Sequence, residues 1–226
     1  MVKNLLNLFF PVVCNACSNV LTDNEQIICI NCRHQLPVTN FHFDDSEVVK
    51  KIVYGRVKLE KATALLHFSK KGKVQQLLHN LKYRGHKGIG GFFGKWLGKE
   101  LSTIEAYKQV DVVVPVPLYK TKLRKRGYNQ VEQFGKEIAK SLNADYNDKV
   151  LIKTKATKTK VFEGRLSRWN DDGAVFAISE NKSLEGKHIL LVDDIITTGA
   201  TVEACATELL KIDNIKLSLA TMAIAD

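Results

Sequence analysis

The sequence predicts an α/β fold: a mostly parallel sheet flanked by helices, behind a small N-terminal zinc ribbon. Three observations predict it. From residue 62 onward, short apolar runs alternate with segments of helical periodicity. One run, 189–192, ends in two aspartates and a Thr/Gly loop that opens a helix. Two Cys-x-x-Cys pairs lie 11 residues apart near the N-terminus. The chain has 226 residues, 45% of them apolar and 26% charged. That composition suits a globular chain with its own core and excludes a disordered, collagenous or coiled-coil architecture.

The first eleven residues read as a short amphipathic helix. They imitate a signal peptide only weakly, with two Asn in the apolar stretch and no small-residue cleavage site before Cys14. No run of about 18 apolar residues exists, so a membrane span is not expected and the expected location is cytoplasmic. Cys14, Cys17, Cys29 and Cys32 offer four thiolates from two tight turns, which matches the tetrahedral preference of zinc. The competing reading is a pair of disulfides, which requires an oxidising compartment. With all four positions taken by thiolates, the zinc is expected to be structural. Val20, Leu21, Ile27 and Ile28 suggest a small hairpin between the two knuckles. This module is assigned to residues 1–37, a polar linker to 38–59, and the α/β domain to 60–226.

Within that domain, 62–68 reads as a strand. Val74, Leu77, Leu78 and Leu81 recur at helical spacing and predict a helix over 70–83. The glycines at 85–94 fit neither G-x-G-x-x-G nor a P-loop, and read as a turn into a helix of about 90–106. The run 110–115 predicts a strand buried on both faces. A basic loop follows. Then Val131, Phe134, Ile138 and Leu142 mark a helix that Asn129 is placed to cap. Strands are expected at 150–152, 174–178, 189–192 and 216–224, with a helix at 202–212. Cys205 shares a face with Val202 and Leu209 and reads as core.

The net charge of +10 is uneven. Residues 119–126 carry +5 and residues 149–168 carry +6, which leaves −1 for the other 198 residues. Two basic segments on a nearly neutral body point to anion binding, against the plain reading of two solvated loops.

Most of the chemistry is written in Ile189-Leu-Leu-Val-Asp-Asp-Ile-Ile-Thr-Thr-Gly-Ala-Thr201. Open α/β sheets bind ligands at the carboxyl ends of their strands, where Asp193 and Asp194 fall. Thr197, Thr198, Gly199, Ala200 and Thr201 then supply hydroxyls and free helix-start amides, which suit a phosphate. Side by side, the two carboxylates suit the hydroxyls of a ribose or hold a cation. A ribose 5-phosphate moiety fits both parts.

At these residues the chain resembles the type I phosphoribosyltransferases. The resemblance implies that Asp193 and Asp194 bind the ribose hydroxyls of phosphoribosyl pyrophosphate (PRPP), and that Thr197–Thr201 binds its 5-phosphate, with Mg²⁺ accompanying PRPP. Further stretches narrow it: Phe10-Pro before the cysteine pairs, Leu81-Lys-Tyr-Arg-Gly85, Val114-Pro-Val-Pro-Leu118 and Arg124-Lys-Arg-Gly-Tyr-Asn-Gln130. These resemble the ComF competence family along essentially the whole chain. The family is associated with uptake of transforming single-stranded DNA, and some members are taken for amidophosphoribosyltransferases. The chain departs from the family pattern at 157–161, where a Gln is missing, and at 168–173, where the Arg–Asn spacing differs.

Val116, Pro117, Leu118 and Tyr119, at a strand end, form the natural pyrophosphate loop, with Arg124 and Arg126 to neutralise the leaving group. The segment 149–168 falls where phosphoribosyltransferases carry a mobile loop. The expected function is PRPP binding combined with handling of single-stranded DNA during transformation, alongside competence machinery. For the DNA, the expected contacts are Lys120, Lys122, Arg124, Lys125, Lys153, Lys155, Lys158 and Lys160, interleaved with Tyr119, Tyr128, Phe162 and Trp169. The alternative is a transferase moving ribose 5-phosphate from PRPP to a nitrogenous acceptor. No general base is identifiable.

Overall fold

The computed structural model describes residues 11–155, 175–179 and 184–225. The main sheet is parallel throughout and has five strands: β1 (Ala62–Phe68), β2 (Val112–Pro115), β3 (Asp145–Tyr146), β6 (His188–Ile196) and β7 (Lys216–Ala225), in the order β1-β7-β6-β2-β3. β2, the central stretch of β6 and most of β7 are buried, because helices cover both sheet faces; their Val, Leu and Ile runs are the sequence signature of that burial. A parallel sheet flanked by helices is what the sequence predicts. Two short strands, β4 (Leu151–Lys153) and β5 (Phe176–Ile178), stand outside it as an antiparallel pair. Sequence periodicity gives strands there but not their separation from the main sheet.

One sheet face is covered by α3 (Lys73–Tyr83), α4 (Gly88–Leu101) and α7 (Glu132–Leu142), together with the cysteine module. The glycines of α4 let two helices meet closely. A Cβ on Gly94 would lie 2.5 Å from the Phe134 carbonyl oxygen. Phe93 and Phe134 are fully buried at this contact, and truncation of either to Ala would cost about 3–5 kcal/mol. The helix expected at 90–106 thus splits into α4 and a short α5 (Glu105–Lys108), with a turn at 102–104.

The other face is covered by α2 (Val48–Ile52), α8 (Ala200–Leu209) and the β4–β5 pair. Cys205 sits in this core, fully buried. Residues 38–59, polar in sequence, are fastened to the body. Val49 and Val53 are buried, and the buried His42 hydrogen bonds to Thr63 Oγ1 and Glu100 Oε2, each at 3.1 Å.

In the cysteine module the expected hairpin is absent. Val20 bridges back to Val13, Asn15 donates to the Ile27 carbonyl, and the second knuckle opens α1 (Ile30–His34). The reason is local. The first knuckle turns the chain on itself before residues 20–21 can meet 27–28. The basic stretch expected as a loop is α6 (Lys120–Arg126), closed by Gly127 in the left-handed region at φ +79°. Lys and Arg are good helix formers, and glycine ends the helix without a Cβ penalty.

Candidate functional site

The strand order sets the site. β6 and β2 are neighbours in register, with Pro115 opposite Val192. Their carboxyl ends therefore release two loops side by side. Residues 116–119 leave β2 and residues 197–199 leave β6, and the Val116 amide still donates to the Val192 carbonyl at 2.9 Å.

Asp193 and Asp194 are both buried. Side chains alternate along a strand, so the two carboxylates, adjacent in sequence, do not stand together on one face. Asp194 turns toward α3 and the turn that precedes α7. Its Oδ1 accepts from Lys82 Nζ at 2.9 Å, and its Oδ2 accepts from Gln130 Nε2 at 2.7 Å. Asp193 Oδ1 accepts the Asp194 amide at 2.8 Å. Burial, and then the adjacent Asp194 carboxylate, push the Asp193 carboxyl up to about 8. Its cationic neighbours are Lys82 and Lys153.

The network continues outward. Gln130 accepts from the Arg126 guanidinium, which also lies 5.6 Å from the centre of the Tyr83 ring. Arg126 is thus half-buried and engaged, whereas Arg124 is exposed and has no partner among the described residues. Lys82 and Gln130 belong to stretches that carry the family resemblance, yet their role was not read from sequence. Each meets Asp194 across a long sequence separation, 112 and 64 residues.

The Thr197–Thr201 loop is open to solvent except at Gly199. Gly199 has φ +77°, and a Cβ there would come within 2.6 Å of Val53 Cγ1 and 3.0 Å of Ile52 Cγ2. Glycine is therefore required both for the backbone conformation and for the close approach of residues 52–53. Arg56 fastens the same corner: it donates to the Thr198 carbonyl at 3.2 Å, to Glu203 at 2.5 Å and to the Ile52 carbonyl. The Thr197, Thr198 and Thr201 hydroxyls have no partner among the described residues, and the first-turn amides of α8 have no intrahelical acceptor. The result is an exposed cradle of donors, braced at Gly199 and Thr198, that suits an anion.

On the neighbouring loop, Asn129 Nδ2 donates to the Val116 carbonyl at 3.0 Å and its Oδ1 accepts the Val131 amide at 3.3 Å. Asn129 therefore does not cap α7, whose N-cap residue is Val131 and carries no side-chain cap; it ties the turn before the helix to the β2 loop. Pro117, Leu118 and Tyr119 are half-buried, and Lys120, Lys122 and Lys125 project from α6 into solvent.

Of the expected nucleic-acid contacts, Lys153 lies over the Phe176 ring at 4.9 Å, and burial lowers its ammonium below the usual lysine range. Lys155 is half-buried. Lys158, Lys160, Phe162 and Trp169, with most of 149–168, lie outside the described residues. Tyr128 does not stand among the nucleic-acid contacts as expected. It is buried, its hydroxyl donates to the Leu81 carbonyl, and Lys87 sits 4.7 Å from its ring centre, so it packs and offers no stacking face.

The metal-ligating candidates do converge. The Sγ atoms of Cys14, Cys17, Cys29 and Cys32 all lie within 4.8 Å of one another. The Cys17–Cys29 separation is 3.8 Å, which is the edge of a tetrahedron with metal–sulfur bonds of about 2.3 Å. Amides of Ala16 and Cys29 point at Cys14 Sγ at 3.4 and 3.3 Å, as suits a thiolate. All five cysteines are free. The cluster can hold a metal ion. No helix among the described residues is long and apolar enough to cross a membrane.

The phosphoribosyl transferase domain family matches residues 129–226. The chain is 25% identical over 203 residues to the DNA utilization protein YhgH of Escherichia coli (strain K12), covering 88% of this chain and 84% of that one. It is 28% identical over 203 residues to the competence protein ComFC of Bacillus subtilis (strain 168), covering 83% and 79%. Competence protein F of Haemophilus influenzae is 27% identical over 106 residues, 46% of each chain. Among solved structures, the allosteric regulatory enzyme of purine biosynthesis is 22% identical with a TM-score of 0.39. The match covers 58% of this chain and 26% of that one.

Proposed function

We propose that the chain, similar over most of its length to YhgH and ComFC and matched by the phosphoribosyl transferase domain family over residues 129–226, is a ComF-type protein that binds PRPP at the ends of β2 and β6 and handles single-stranded DNA during DNA uptake. The observation that carries this reading is the pairing of the Thr197–Thr201 cradle with the buried carboxylates Asp193 and Asp194 at one strand end. In this reading the 5-phosphate takes the cradle's hydroxyls and the α8 amides. The ribose hydroxyls meet Asp194, whose orientation Lys82 and Gln130 hold, and the pyrophosphate lies along residues 116–119 below α6. Rigid positioning of this kind is what a reaction with an oxocarbenium-like centre requires.

Both Asp194 oxygens already accept hydrogen bonds. Mg²⁺ would therefore be held mainly by the phosphate oxygens of PRPP and by water, as suits an ion that dehydrates reluctantly. A structural zinc ion suits the four-cysteine cluster, where it would hold the two knuckles together and leave no open position for chemistry.

The test is calorimetric titration of the zinc-loaded protein with PRPP and Mg²⁺, with and without a short single-stranded oligonucleotide. Micromolar binding of PRPP that is lost in Asp193→Asn with Asp194→Asn, and altered by the oligonucleotide, is the expected result. Undiminished PRPP binding in the double variant would overturn the ribose assignment. Steady pyrophosphate release with an added nitrogenous acceptor would replace the binding reading with a transferase.

A further inference from the structure

A second concavity lies on the other side of α3. It has a volume of about 700 Å³ and opens between the first cysteine knuckle and α3. Cys17, Lys71, Lys73, Gln76, His79 and Arg84 line it, and no acidic residue does among the described residues. In the sequence Lys71 and Lys73 form only a short basic stretch, and α3 separates them from Arg84.

The fold assembles it in three ways. Lys71 sits in the left-handed region at φ +64°, and its amide donates to Gln75 Oε1 at 2.6 Å, which fixes the turn at the start of α3. Helical spacing then brings Lys73, Gln76, His79 and Tyr83 along neighbouring turns. Finally, Asn80 Nδ2 donates to the Asn15 carbonyl at 2.8 Å, so the metal-ligating knuckle is fastened to α3 as the opposite wall.

The cations there are largely unmatched. Among the described residues Lys73 Nζ donates only to the neutral Gln35 Oε1, at 2.8 Å. The Lys71 ammonium and the Arg84 guanidinium have no partner among the described residues. Just beyond His79 the Tyr83 ring stands 70% exposed, with the His79 ring 5.1 Å away and the Arg126 guanidinium 5.6 Å from its centre. Through Arg126 the cationic surface runs on to α6.

We propose that this groove, continued across Tyr83 to α6, is the track for a single-stranded nucleic acid. Its phosphates lie on Lys71, Lys73 and Arg84, and an unpaired base stacks on Tyr83. The proposal rests on the reading that the chain handles DNA, and it moves the main contact from α6 and 153–160 to the junction of α3 and the cysteine module. An exposed ring set within a basic track suits an unpaired base; in a duplex the base faces are covered by their neighbours. A metal ion in the four-cysteine cluster then has a use at a distance, since it stiffens one wall of the groove.

The test is anisotropy of a labelled oligothymidine on the full zinc-loaded chain, across a salt series. Lys71→Gln, Lys73→Gln and Arg84→Gln together should lower the slope of log K against log salt by about 2, at roughly 0.7 per single-strand phosphate. Tyr83→Ala should weaken binding by roughly tenfold and leave the slope unchanged. PRPP affinity should be unaltered in the triple variant. As a charge-matched control, Lys187→Gln, Lys211→Gln and Lys216→Gln near the opposite end of the sheet should change neither quantity. An unchanged slope in the groove variant, with binding abolished by Lys122→Gln, Arg124→Gln and Lys125→Gln, would overturn the groove while leaving DNA handling intact. Equal affinity for duplex would overturn the stacking role of Tyr83. Absence of oligothymidine binding by the unaltered protein would overturn the underlying reading itself.

Discussion

The carboxyl end of β6 and helix α6 lie close together, yet they treat charge in opposite ways. At the strand end charge is buried and matched: Lys82 and Gln130 together occupy both oxygens of Asp194. On α6, Lys120, Lys122, Arg124 and Lys125 stand in water without partners among the described residues. The difference follows from solvation. A buried charge costs several kcal/mol unless it is paired, whereas an exposed one costs little and remains available to a ligand. One region holds its geometry before any ligand arrives. The other holds only potential.

The contrast is sharpest where one buried partner is removed. Lys82→Met keeps most of the stem's packing but leaves Asp194 with Gln130 alone. It should destabilise the protein by about 2–3 kcal/mol, read as a fall in the urea midpoint at constant slope. A change under about 0.5 kcal/mol would mean that the strand end is not held by charge pairing.

Gly199→Ala should come next, at about 1–3 kcal/mol, because Ile52 and Val53 leave no room for a Cβ. PRPP affinity should fall with it, since the cradle depends on that backbone turn. An intact affinity would show that the loop tolerates displacement.

The third test uses pH. The Asp193 carboxyl is raised from 3.8 to about 8 in the folded chain. Between these values the folded state keeps a proton that the unfolded state releases. This contribution to stability is therefore greatest below about pH 4, declines as pH rises toward 8, and is level above that. Asp193→Asn removes this decline, so the variant should gain stability relative to the unaltered protein between pH 5 and 8 in paired denaturation curves. Parallel pH profiles would mean that Asp193 is ionised throughout.

The smallest effect is expected on α6. Replacing Lys122, Arg124 and Lys125 by Gln should shift stability by less than about 0.5 kcal/mol. A larger loss would show these charges to be structural.

The same contrast explains what was legible in the sequence. The β6 strand, its two aspartates and the loop into α8 are contiguous, so thirteen residues display strand, turn and helix start together. The four cysteines likewise announce themselves by spacing. Lys82 and Gln130 do not, because only the parallel strand order brings α3 and α7 to the end of β6. The divergence of Asp193 and Asp194 was obscured by their adjacency, since neighbours in sequence are opposites on a strand. The helical state of 120–126 was hidden by its charge, which reads as a solvated loop until Gly127 is recognised as a helix end. The groove beside α3 is hidden because Lys71 and Lys73 make only a short basic stretch, and nothing in the sequence places Arg84 and the cysteine knuckle beside it.

One consequence follows from α3 alone. It is a single rod of 11 residues, about 16 Å long. Near its carboxyl end Lys82 reaches inward to Asp194, while Asn80 and Tyr83 face the knuckle and the basic surface. A ligand drawing on Lys82 and a ligand lying along the outer face therefore act on one stiff body. Any factor by which the first alters the hold on the second must be returned unchanged by the second to the first. The two occupancies would then report on each other, with no moving domain required between them.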